Sequence, residues 1–188
     1  MNLTFIADKT FNNVNIALDK AEYDNCTFIN CSFKDAYFSG FSFLDCDFID
    51  CDLSLTKIKD ATFKDTTFKQ CKMLGFPLQD CNPFLLSVTF IECNLDLALF
   101  NHLNLKNTGF ESCSLNQADF TKTNLSHAQF NFCDLKHAIF DSTNLESADF
   151  RTAKNFSIHP ESNQINSAKF AKHNLSGLLS SYKLNISE

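Results

Sequence analysis

The 188-residue chain has no tryptophan, only four glycines and three prolines, and 16 basic side chains against 22 acidic ones. So few glycines and prolines, beside many large apolar residues, exclude a disordered composition. There is no glycine-rich phosphate loop and no nucleophile elbow. No apolar run approaches the roughly 20 residues that a membrane helix needs. The start, MNLTFIADKTF, carries neither a basic n-region nor a cleavable apolar region, so a cytoplasmic location is expected. The nine cysteines form no C-x-x-C pair and no Cys/His cluster, which argues against a metal site, and their odd number leaves no complete disulfide pairing.

Phenylalanine, by contrast, accounts for 22 residues. An apolar residue stands at every fifth position from Phe28 through Phe33, Phe38, Phe43 and Phe48 to Leu78. The series resumes two residues out of phase as Leu85, Phe90, Leu95 and Phe100 and runs on to Phe150. Helices use a period of 3.6 and strands a period of 2, so neither explains this spacing. Two positions before each member lies a small or thiol-bearing residue, as at Cys51, Ala98, Cys113, Ala118 and Thr123. One large and one small inward side chain per five residues describe a chain that turns a corner at every block. Four such turns close a square coil, and successive coils stack about 4.8 Å apart through backbone pairing.

A square coil requires residues 20 apart to share a column. Phe28, Phe48, Phe68, Phe90, Phe110, Phe130 and Phe150 do so once the two extra residues are allowed for. Phe33, Leu53, Met73 and Leu95 begin a second column, Phe38, Ile58, Leu78 and Phe100 a third, and Phe43, Phe63, Leu85 and Leu105 a fourth. Cys31, Cys51, Cys71, Cys93, Cys113 and Cys133 stack at the small position of one face. They read as buried, inert thiols of a reducing compartment. The fold expected is all-β, a β-helix over residues 1–170, with an irregular coil over 1–22 and a loop over 156–163. A corner bulge near 79–84 is expected where two of the prolines fall, either kinking the rod or simply accommodated. A second slip, between Ile16 and Tyr23, marks the first coil as a cap. Residues 171–188 read as a terminal cap with a short helix from Asn174 to Tyr182, followed by Leu184 and Ile186. Such a helix is too short to stand alone, so it packs on its own chain or on a second copy.

The five histidines fall mostly at outward positions, the aspartates follow the repeat, and a filled coil leaves no room for a pocket. No enzyme activity and no cofactor are expected. The charge comes in bands: acidic over 18–56 and over 80–150, with Lys57, Lys59, Lys64, Lys69 and Lys72 between them. Direct binding of nucleic acid is not expected of such a surface. It suits a basic protein partner, or only solubility.

Blocks such as Ala118-Asp119-Phe120-Thr121-Lys122 and Ala148-Asp149-Phe150-Arg151-Thr152 resemble the pentapeptide repeat family, written A(D/N)LXX. That resemblance implies a right-handed quadrilateral β-helix. Within the family, the bacterial quinolone-resistance proteins of the Qnr type mimic duplex DNA, bind DNA gyrase and dimerise through a C-terminal helix. The chain is similar to them in length, acidic balance, the shifted phase near 79–84 and the segment Gly177 to Leu184. It lacks their two longer projecting loops. Two functions follow as expectations: a non-enzymatic acidic scaffold, or a DNA-mimicking topoisomerase modulator. The resemblance gives Asp45, Asp50, Glu92, Glu111, Asp119, Asp134, Asp141 and Glu146 as partner-facing acids. The apolar terminal helix separately points to a homodimer contact through Leu175, Leu178, Leu179, Tyr182 and Leu184.

Overall fold

A computed structural model describes residues 4–15, 18–182 and 184. The chain winds into a right-handed solenoid of stacked four-sided coils. The faces are named here by their inward columns: face I by Phe28, face II by Phe33, face III by Phe38 and face IV by Tyr23 and Phe43. On face I a seven-stranded parallel sheet joins β2 (Thr10–Asn12), β4 (Thr27–Ile29), β6 (Asp47–Ile49), β8 (Thr66–Lys69), β9 (Val88–Ile91), β10 (Gly109–Glu111) and β11 (Gln129–Asn131). Face IV carries a four-stranded sheet of β1 (Thr4–Ala7), β3 (Ala21–Asp24), β5 (Ser42–Leu44) and β7 (Thr62–Lys64). Faces II and III are held by isolated parallel bridges such as Ser32 to Asp52 and Tyr37 to Lys57.

The register is the one the columns demand. Phe28 pairs with Phe48, Phe48 with Phe68, and Phe110 with Phe130. Phe68 pairs with Phe90 across the longer coil, so the column survives the two added residues. Down face I the rings stack, with centroids 4.6 Å apart for Phe28 and Phe48 and 4.9 Å for Phe110 and Phe130. Across the core they meet edge-on, as Phe100 and Phe110 do at 5.9 Å and 87°. Stacking along the axis and T-shaped contact across it are the two favoured aromatic geometries, so one repeat satisfies both.

The small inward position also has a polar duty. The Thr123 hydroxyl donates to the Phe100 carbonyl at 2.9 Å and the Thr143 hydroxyl to the Phe120 carbonyl at 2.9 Å. The Cys51 thiol reaches the Phe28 carbonyl at 3.4 Å and the Cys133 thiol the Phe110 carbonyl at 3.4 Å. Asn163 does the same with its amide, 3.1 Å from the Phe140 carbonyl. A residue here must be small, and a short donor adds a hydrogen bond to the carbonyl of the preceding coil. That is why Cys, Thr and Ala interchange in these columns. Two exceptions, Phe41 and Phe76, put a second large ring into the core.

Three expectations are corrected. The first coil is shorter than expected of a slip alone: Ile6 pairs with Tyr23 and Phe11 with Phe28, a spacing of 17 instead of 20. Ile16 lies outside the described residues. Leu85 does not enter the fourth column; it is 58% exposed, and the partly buried Leu86 packs against the core in its place. The reason is the corner itself. Residues 79–82 keep their inter-coil hydrogen bonds, Gln79 N–H to the Leu99 carbonyl and Asn82 N–H to that of Ala61. The surplus therefore leaves the coil just after them, exposing Pro83, Phe84 and Leu85. In the segment expected to be an exposed loop, Phe156 and Ile158 are buried, and the Ile158 N–H bonds the Gly177 carbonyl at 3.0 Å.

The terminal helix is of the 3₁₀ type, Lys172–Leu178 with a further turn Ser180–Tyr182. A Cβ at Gly177 would lie 2.5 Å from the Phe156 ring, so only glycine allows this approach. Leu178 packs on the core, whereas Leu175, Leu179, Tyr182 and Leu184 are exposed. Ile186 lies outside the described residues.

Candidate binding surface

Most corners place a residue in the left-handed region, a conformation that Asn and Asp tolerate better than other non-glycine residues. Among the described residues 26 non-glycine positions have positive φ, Asp8, Asp35, Asp45, Asp50, Asp60 and Asp65 among them. Many of the carboxylates are thus set by backbone geometry, and their outward direction follows from it. His102, His127 and His137 occupy such corners too.

The eight acids given by the sequence do not form one cluster. Asp45, Asp50 and Glu92 are corner residues bordering face I, and Glu111 lies on that face in β10. Asp119 and Asp141 flank the inward Phe120 and Phe140 of face III, Asp134 lies on face II and Glu146 on face IV. The sheet on face I therefore gathers four of the eight. It also carries Asp47, in β6, and is bordered by Asp65, between β7 and β8. Neither was singled out from the sequence. Asp47 was findable by column arithmetic, since its partners at one coil either side are Thr27 and Thr67.

Two of the remaining acids are engaged within the chain. Asp134 accepts from the Lys136 N–H at 3.1 Å and the Asn155 amide at 2.8 Å, and Lys154 stands 3.5 Å away. Burial alone would raise its pKa; those donors and Lys154 hold the carboxyl below its usual range. Asp119 accepts the Thr121 N–H at 2.8 Å. Asp149, on face I, is held below the usual range chiefly by its hydrogen bonds to Arg151, whose guanidinium is 2.7 Å from Oδ2.

The five lysines between the acidic bands do not make a patch. Residues 57–72 span most of one coil, so Lys57 and Lys59 fall on face III, Lys64 on face IV, Lys69 on face I and Lys72 on face II. They form a ring one coil tall. Only Lys69 interrupts the acids of face I, while Lys64 reaches Asp65 at 4.0 Å.

The interior offers no site. The inward columns are filled by buried side chains, and the concavities are open grooves, one lined by Asn13, Asn30, Asp50, Asp52, Gln70 and Lys72. Among the described residues no group of three His, Cys, Asp or Glu could hold a metal ion. Among the described residues no helix is long and apolar enough to cross a membrane. Burial pushes the Cys46 and Cys81 thiols up to about 12, which keeps them protonated and unreactive at neutral pH.

The family model described as "Pentapeptide repeat region" matches residues 21–83 and 84–155. No curated protein sequence matches the chain. Among solved structures it is similar to full-length QnrB1, a plasmid-mediated fluoroquinolone resistance protein, at 17% identity and a TM-score of 0.52, covering 96% of this chain and all of that one. It is also similar to HetL, a pentapeptide repeat protein involved in heterocyst differentiation regulation in the cyanobacterium Nostoc, at 15% identity and a TM-score of 0.37, covering 89% of this chain and 87% of that one.

Proposed function

The chain belongs to the pentapeptide repeat family, and on that premise we propose that it is a non-catalytic binding rod whose face I acts as a DNA-like surface for a bacterial type II topoisomerase. One observation carries this reading: a seven-stranded parallel sheet bordered by carboxylate-bearing corners at Asp45, Asp65, Asp50 and Glu92, with Asp47 and Glu111 on the sheet itself. The stacking repeat of about 4.8 Å sets these charges on successive coils, three of them on the coil of β6 and one each on the next three. A rigid array of this kind is complementary to a basic groove built to hold phosphates, and it gains from the same long-range attraction. The whole-length likeness to QnrB1 supports the rod shape, and the sequence resemblance to the Qnr type makes gyrase the partner to try first.

A gyrase supercoiling assay, with and without a quinolone, tests the reading. The wild-type chain should alter supercoiling or drug sensitivity. A variant with Asp45, Asp47, Asp50 and Asp65 all changed to Asn should not, although Asn keeps the left-handed corners. No effect of the wild type at micromolar concentration would overturn it.

The same reading includes a homodimer through the terminal cap, supported by the exposure of Leu175, Leu179, Tyr182 and Leu184. Light scattering should give twice 21.3 kDa, and Leu179→Asp should give monomer. Leu178 is unsuitable for this test because it packs inward. A wild-type particle of monomer mass would refute the dimer.

A further inference from the structure

Among the described residues only four of the left-handed positions carry a large apolar side chain: Leu55, Leu85, Leu97 and Phe132, and all four are exposed. Each is doubly disfavoured. A branched or bulky side chain strains the left-handed backbone, and exposure forgoes the hydrophobic gain that could offset the strain. Phe132 is the one large apolar residue in its corner column, and Leu85 belongs to the inserted turn beside the exposed Phe84. Leu55 and Leu97 share one, between faces II and III, with Gly75 between them at φ +63°. A Cβ at Gly75 would lie 3.2 Å from Leu55 Cδ2, so the absent side chain lets Leu55 lean across that rung. Leu74, 42% exposed, takes the same rung, and its carbonyl accepts the Leu55 N–H at 3.1 Å. Leu55, Leu74 and Leu97 thus form an apolar ridge over three consecutive coils.

The ridge is flanked by cations. Lys34 and Lys72 lie on the face II side and Lys57 and Lys59 on the face III side, all exposed and none in a salt bridge among the described residues. Lys57 caps the ring of the exposed Tyr37 at 4.6 Å. Two of the nearby acids are occupied: Asp52 accepts the Ser54 N–H at 3.0 Å, and Asp96 holds the Ser114 hydroxyl at 2.6 Å and the Asn116 N–H at 2.9 Å. Asp35, one coil below Leu55, is exposed, as are Asp60 and Asp80 at the far edge of face III beside Lys59. An apolar strip with free lysines on both sides is unexpected on a chain of formal charge -6.

We propose that this ridge is a second binding surface, distinct from face I, and that it takes an acidic amphipathic helix of a protein partner. Charge complementarity selects the acid. The spacing selects the helix: rungs recur about every 4.8 Å, close to the separation of about 5–6 Å between helix side chains three or four apart. Two rungs, about 9.6 Å, fit positions i and i+7, about 10.5 Å apart on a helix. The apolar stripe of such a helix would lie along Leu55, Leu74 and Leu97, with its carboxylates over the lysines.

The test uses fluorescein-labelled three-heptad helical peptides, with Leu at the first and fourth heptad positions and Glu at the flanking ones, against a version with Lys in place of every Glu. Fluorescence anisotropy should show saturable binding of the Glu peptide at least about tenfold tighter than of the Lys peptide. A Leu55→Asn/Leu97→Asn double variant should lose this binding while melting at the same temperature or higher, because Asn accepts the left-handed corner. Lys57→Glu/Lys72→Glu should reverse the preference between the peptides. The proposal falls if the Glu peptide does not bind up to about 0.1 mM, or if the double Asn variant binds it as well as the wild type. It also falls if light scattering shows the ridge joining two copies of the chain, dissociated by the same double variant. Gyrase activity is read on face I and is independent of these outcomes.

Discussion

The coils before and after the Pro83 corner are built to the same plan with different materials. Before it, face IV stacks Tyr23, Phe43 and Phe63, the rings of Tyr23 and Phe43 lying 5.5 Å apart, and a four-stranded sheet covers them. After it the same face stacks Leu105, Leu125 and Leu145, and only isolated bridges join Asn104, Asn124 and Asn144. The sheet on face I runs through both regions without a break. A corner bulge can therefore end one sheet and spare another, because each face pairs with its own neighbours independently. The first region is aromatic along faces I and IV, and on all four sides in the coil of Phe28, Phe33, Phe38 and Phe43, and it gains stability from ring contacts. The second alternates Phe and Leu, so that large and medium side chains interlock in each cross-section.

The largest expected break in this comparison is a core truncation. Phe43 meets Tyr23, Phe28, Phe38, Phe41, Phe48 and Phe63. Phe43→Ala should cost about 3–5 kcal/mol in chemical denaturation, toward the top of that range. Leu125→Ala, at the matching place beyond the corner, should fall nearer the lower end of the roughly 2–5 kcal/mol expected for aliphatic truncation. Equal losses would show that the aromatic contacts add nothing beyond area.

Alkaline pH should distinguish the regions next. Burial raises Cys46 and Cys81 from 9.0 to about 12, and Tyr23 from 10.0 to about 12. The folded state thus keeps protons that the unfolded chain gives up. Their contribution is complete below pH 9 and is lost as the pH rises toward 12, at about 1.4 kcal/mol per pH unit for each thiol. All three groups precede the corner, as do Cys31 and Cys71, which are also raised. Beyond it Cys113 is raised, but Cys93 and Cys133 are lowered by their neighbouring thiols. Hydrogen exchange between pH 9 and 11 should therefore loosen coils around Cys46 before those around Phe130. Simultaneous loosening would contradict the assignment.

Leu85→Asn should stabilise the chain by about 1 kcal/mol, since it relieves a strained corner without removing a core contact. Destabilisation by calorimetry would mean that the exposed leucine packs on something. Smallest of all, Cys113→Ala should cost under about 1 kcal/mol, because it removes a weak thiol bond, 3.6 Å to the Phe90 carbonyl, and little volume. A loss as large as that of Phe43→Ala would contradict the role given to the thiol column.

The columns were legible in the sequence because one large and one small residue per five are repeated across enough coils to fix register, and Phe68 to Phe90 confirms it across the insertion. The exit point of the insertion was not, since Leu85 and Leu86 are equally apolar and only the hydrogen bonds of residues 79–82 decide between them. Surface charge was misleading for a related reason. Lysines adjacent in sequence go around the coil to four different faces, whereas acids 20 apart come together. Reading charge by column instead of by stretch would have grouped Asp45 with Asp65 and dispersed Lys57, Lys64, Lys69 and Lys72. The ridge escaped notice because an exposed leucine means little until its backbone conformation is known.

The most direct measurement for the central claim is displacement of labelled duplex DNA from purified DNA gyrase by this chain. Stoichiometric displacement is expected from the wild type, with none from the Asp45/Asp47/Asp50/Asp65→Asn variant at the same concentration. Failure of the wild type to displace duplex, or equal displacement by the variant, would contradict a DNA-like role for face I.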